Sequence, residues 1–134
     1  MKKRRKPVGV HPFIKQAIRA KWTSEAMKGQ IHALMGADKE KLLAYGSIMF
    51  FVASACGMHQ GWTGDEPDMR VVRASVNALD DLAKRSEITE MDRGSILGGL
   101  QASARIIAAT PIEVVSDAAI LYDQQSREWE GAQA

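Results

Sequence analysis

The chain has 134 residues, 46% of them hydrophobic, which suits one compact domain that needs no metal or disulfide to hold it. Cys56 is the only cysteine, so an intramolecular disulfide is excluded and a paired-cysteine metal site with it. The net charge of +2 is unevenly placed: residues 1–28 hold nine Lys/Arg against Glu25 alone, net +8, and residues 29–134 hold nine against fifteen acids, net −6.

The chain opens with Lys2, Lys3, Arg4, Arg5 and Lys6, then Pro7. Residues 1–10 are read as a basic N-terminal arm and 11–134 as a single helical domain. The start is not a secretory signal, because Lys15 and Arg19 interrupt the apolar stretch behind the basic run. Pro12 suits a first helical position, and a short helix over 12–21 would gather Phe13 and Ala17 on one side. Ser24 is a good N-cap for a second helix ending at Gly36. Met27, Ile31, Leu34 and Met35 then form one apolar stripe, expected to face the core. His32, four after Lys28, is placed on the surface.

Asp38 caps an apolar helix over roughly 39–58. From Leu42 to Gly64 there is no Asp, Glu, Lys or Arg, yet the apolar part, Leu42 to Met58, is at the short edge of a bilayer span. The segment is expected to be the central buried helix, with Cys56 a small core side chain, and not a membrane crossing. "HQGWTGDEPD" is a turn-rich loop. A helix over roughly 67–85 follows, with Met69, Val72, Val76, Leu79 and Ala83 as its seam. Thr89 and Asp92 have capping-box spacing before a helix at 90–109. Its Gly94 and Gly98 lie on one face, which predicts a close helix–helix approach there. Thr110 as N-cap, Pro111 and Glu113 open a last helix with Ile112, Val115, Ala119 and Tyr122 as its stripe. Gly131 is expected to end it, with Trp129 folding back. The fold class is all-α: a single compact bundle of five or six helices behind a basic arm.

Catalytic signatures are missing. There is no glycine-rich phosphate loop, no H-E-x-x-H and no G-x-S-x-G. His11, His32 and His59 lack the spacing of a helical metal pair, so no catalytic residue, metal or cofactor is expected, and no small-molecule substrate. His59 shares its loop with Asp65, Glu66 and Asp68, whose acids are read as helix-start electrostatics. His59, Gln60 and Trp62 remain candidate loop contacts, with Trp62 otherwise a plug on the core rim.

The basic head is the candidate partner site. Lys15 and Arg19 are four apart and share a face; with Lys21, Lys28 and the arm they form one positive region, with Trp22 among them, either to stack on a partner or to pack as a hinge residue between the first two helices. Such a region suits nucleic-acid phosphates, contacted without sequence choice, or an acidic protein surface. A helix-turn-helix is disfavoured, because the helix after Gly36 turns apolar within two turns. The single cysteine is consistent with a reducing, cytoplasmic setting.

The layout, with its basic start "KKRRKPV", all-helical body and polar "YDQQSREWEGAQA" end, resembles the small accessory proteins encoded by bacteriophages, prophages and plasmids. Some proteins of that type, anti-CRISPR proteins among them, inhibit host defence. The resemblance implies a non-enzymatic protein that acts by binding, occupying a surface on a host protein or ribonucleoprotein complex. Inhibitors of this kind often mimic nucleic acid with acidic surfaces. Here the head is basic, which points to an acidic or RNA-bearing face of the target. A small nucleic-acid-binding protein is the alternative expectation, and a membrane-associated accessory protein the third.

Overall fold

The computed structural model describes residues 12–36 and 38–133. The arm of residues 1–10 lies outside them, as do His11 and the side chains of Phe13 and Trp129. Five helices account for almost all of the described chain, and no strand occurs among the described residues: α1 (Pro12–Leu34), α2 (Lys39–His59), α3 (Pro67–Ala83), α4 (Glu90–Ala108) and α5 (Ile112–Gln133).

The expected break between two short N-terminal helices is absent. α1 runs without interruption through Trp22, Thr23 and Ser24. Ser24 lacks a preceding glycine or proline to stop the first segment, so its capping preference yields to continuous packing on α4. α5 likewise runs past Gly131, which costs helix stability but does not by itself terminate a helix.

The caps are carried by named side chains. Asp38 accepts from the Lys41 N–H at 3.0 Å and starts α2. Thr89 and Asp92 form the expected capping box at α4, and Asp92 also takes both arms of Arg85 at 2.9 and 2.7 Å. The Arg85 guanidinium holds the Asp92 carboxyl well below the usual carboxylate range. Thr110 does not cap α5 as its position suggested. It is fully buried, and its hydroxyl donates to the Ile106 carbonyl at 2.6 Å, a turn back in α4. Burial leaves that hydroxyl no solvent partner, so it bonds inside the preceding helix.

α4 lies at the centre, against α1, α2 and α3. α2 packs on α3, α4, α5 and α1, and α5 rests mainly on α2. One core cluster draws residues from all five helices, including Trp22, Phe50, Leu82, Leu100 and Val115. α2 is long and apolar enough to cross a membrane by length and composition. In the fold its Leu42, Met49, Phe50, Val52 and Ala53 are buried against other helices, and Cys56 is buried beside them. That burial pushes the Cys56 thiol pKa up.

The close approach between α3 and α4 is at Gly99, not at Gly94 or Gly98. A methyl group at Gly99 would overlap the Ser75 side chain, whereas nothing lies near Gly94 and only Val71 at 3.9 Å approaches Gly98. Ser75 fills this contact and donates its hydroxyl to the carbonyls of Val71 and Ser95, at 2.9 and 2.7 Å. The glycine that matters is the one facing the neighbour; the i, i+4 pair points elsewhere.

Candidate functional site

Long helices on a small bundle usually have one apolar stripe and one wet face. α1 has two apolar stripes. The inner one is Trp22, Ala26, Gly29 and Ala33, at spacings of 4, 3 and 4. Trp22 is only 5% exposed, and Leu100 of α4 lies over Gly29, its methyl carbons 3.4 Å from where a Cβ would stand. Small side chains let α1 sit close on α4.

The outer stripe is the one expected in the core. Met27, Ile31, Leu34 and Met35 are instead 57%, 50%, 69% and 79% exposed. The helix cannot turn both stripes inward, and Trp22 with its small neighbours fits α4 better than the longer side chains do. The seam continues towards the N-terminus through Ala17, Ala20 and Ser24, all exposed. Ala17, Ala20, Ser24, Met27, Ile31 and Leu34 are spaced 3, 4, 3, 4 and 3.

Beside this seam a groove of about 310 Å³ opens between α1 and α4. Trp22, Ala26 and Met27 line one wall, and Ala104, Ile107 and Ala108 the other. Met49 of α2 forms part of its lining. Met27 belongs to both groove and seam, so the two make one continuous apolar surface.

The cations of the predicted basic face are placed differently from one another. Arg19 donates to the carbonyls of Ile107 at 2.9 Å, Ala108 at 3.2 Å and Thr110, closing the C-terminus of α4. Lys15 pairs with Glu113 of α5 at 2.9 Å, and the hydrogen bond from that ammonium lowers the Glu113 pKa. Lys28 reaches Glu25 at 3.7 Å on an exposed surface. Lys21 is exposed, and Trp22 is in the core. The arm residues Lys2, Lys3, Arg4, Arg5 and Lys6 lie outside the described residues.

The loop after α2 is tied down at three points. The Gln60 side-chain amide donates to the Thr110 hydroxyl at 2.9 Å. Trp62 is half-buried over Gly57, where a Cβ would meet its ring at 3.2 Å. The Glu66 carboxylate accepts from the N–H groups of Thr63 and Gly64, at 3.2 and 2.9 Å. His59 is exposed beside a shallow hollow with Asp117. His32, expected on the surface, is half-buried and stacks on Tyr45 with ring centroids 5.1 Å apart. Among the described residues no three His, Cys, Asp or Glu side chains come together to hold a metal ion.

The outer seam of α1 was missed as a surface because its stripe was assigned to the core on periodicity alone. The sequence does show that two stripes compete: Trp22, Ala26, Gly29 and Ala33 recur at the same period on the opposite side. Two stripes on one helix leave one without a place inside. The chain matches no family model, no curated protein and no solved structure.

Proposed function

We propose that this chain is a non-enzymatic binding protein of mobile-element origin that occupies a surface on a host protein or ribonucleoprotein complex and so inhibits or modulates it. One observation carries the reading: α1 turns Met27, Ile31, Leu34 and Met35 to water while a second stripe of the same helix fills the core. A contiguous apolar surface of this kind, next to a groove, is characteristic of a protein contact. The alternative, nucleic-acid binding through the basic head, loses two of its proposed contacts to internal work, since Arg19 and Lys15 are engaged within the fold.

The test is capture from a bacterial lysate on immobilised full-length protein, with and without nuclease, over a salt series. A partner that survives nuclease and responds weakly to salt supports the reading. Loss of all capture on nuclease treatment, with a steep salt slope, would replace it with phosphate binding.

A further inference from the structure

The period of the exposed seam narrows what can cover it. Ala17, Ala20, Ser24, Met27, Ile31 and Leu34 occupy alternating a and d positions of a heptad, and all six face water. A 3.5-residue seam is complementary to another helix, whose knobs enter holes repeating at the same interval. The seam covers about 27 Å of helix, at 1.5 Å per residue.

The flanks narrow it further. In the same register Lys21 and Lys28 fall at e, and Gln16, Thr23 and Gln30 at g. No carboxylate stands at either flank position of this seam; Glu25, at b, reaches Lys28 at 3.7 Å, and among the described residues no carboxylate pairs with Lys21. A second copy is poorly suited. An antiparallel pair would set e against e, lysine against lysine, and a parallel pair would set lysine against uncharged Gln or Thr. A partner helix with Glu or Asp along its flanks satisfies Lys21 and adds a second carboxylate beside Lys28, which Glu25 reaches only at 3.7 Å.

We infer that the α1 seam docks an acidic amphipathic helix of the partner protein. This rests on the binding-protein reading and names the partner element. The size gradient of the seam sets the partner's orientation. Its bulky side chains lie over Ala17, Ala20 and Ser24, and its smaller ones over Met27, Ile31 and Leu34. A side chain beside Met27 enters the groove of α1 and α4 and supplies the buried anchor.

Two synthetic peptides test the inference, each of three heptads with leucine at a and d, one with glutamate and one with lysine at e and g. Each is titrated into full-length protein carrying ¹³C-methyl methionine. The glutamate peptide is expected to bind more tightly by roughly three- to tenfold, the scale of two rim ion pairs, with the difference shrinking in salt. The methyls of Met27 and Met35 should shift, and those of Met58 and Met91 should not. Ile31→Lys should abolish binding without changing the melt, and Ile31→Leu should retain it. Equal affinity for the two peptides, no binding of either, or shifts confined to Met58 or Met91 overturns the inference. So does a Met27 shift produced by anionic vesicles or by a DNA oligonucleotide and not by the glutamate peptide, or dimerisation of the free protein that Ile31→Lys abolishes. If the peptides fail while Ile31→Lys still releases a nuclease-resistant partner from the lysate capture, the helical partner is wrong and the binding-protein reading stands.

Discussion

The Arg19 guanidinium donates to the carbonyl of Ile107 over 2.9 Å, joining positions 88 residues apart and closing the end of α4 with a side chain of α1. Lys39 does the same for α3, its ammonium donating to the carbonyls of Arg85 at 2.6 Å and Ala83 at 3.4 Å. Cations at the negative ends of neighbouring helices fix the crossing of α1 and α4 and the entry into α2. Positive charge near the start of this chain is therefore partly structural.

Arg19→Ala should lower stability by about 1–2 kcal/mol, because three carbonyls lose a charged donor. Lys21→Ala, at an exposed position, should change the melt within about 0.5 kcal/mol. Thermal unfolding followed by circular dichroism checks both. An unchanged Arg19→Ala melt would show that the α4 terminus does not depend on this contact.

Gly99→Ala should destabilise by about 1–3 kcal/mol, since its methyl has no room against Ser75. Gly94→Ala should stabilise by up to about 1 kcal/mol, because the site is open and alanine is the better helix former. Equal effects from the two would place the α3–α4 contact elsewhere. Phe50→Asp should prevent folding, as it puts a charge into the centre of the core.

Asp92 makes stability depend on acid. Its pKa is depressed in the folded chain by Arg85 and by the Thr89 backbone N–H. The unfolded chain therefore binds the proton first as pH falls. The stabilisation is fully present above the ordinary carboxylate range and is lost progressively on the way down through the folded value. Asp92→Asn should remove part of the wild-type loss of melting temperature below pH 4 and cost about 1–2 kcal/mol at neutral pH, where capping box and ion pair both weaken. Parallel melts of wild type and variant at pH 7 and pH 3 check this. Parallel curves at both pH values would remove Asp92 from the acid response.

Much of the fold was legible in the sequence. Asp38, Thr89 with Asp92, and Pro67 marked three helix starts correctly, because capping is settled by neighbours within one turn. The stripe of α5 was legible from its period, and Tyr122 meets Phe51 edge-on with centroids 5.3 Å apart. The seam of α3 was legible in part, since Met69, Val72 and Leu79 are buried, but Ala83 is exposed and Ser75 and Leu82 take the inner positions instead. The failures were decisions made by tertiary contact. Ser24 looks like an N-cap until α4 holds α1 straight across it. Gly94 and Gly98 look like a contact face until Ser75 is found opposite Gly99. Met27, Ile31, Leu34 and Met35 satisfy every local rule for a core stripe. Which of two stripes goes inward depends on the shape of α4, and periodicity carries no information about that. Of the two expectations for Trp62, the structure shows the rim plug: its ring packs against the core over Gly57, where the missing side chain leaves room for it.

The most direct test of the central claim compares folding and capture in one variant. Ile31→Lys puts a charge in the middle of the α1 seam, at a residue already half exposed. A binding surface predicts a melt within about 0.5 kcal/mol of wild type, together with loss of the nuclease-resistant partner from the lysate capture. A melt lowered by several degrees with capture unchanged would contradict it, and would return the outer stripe of α1 to the core.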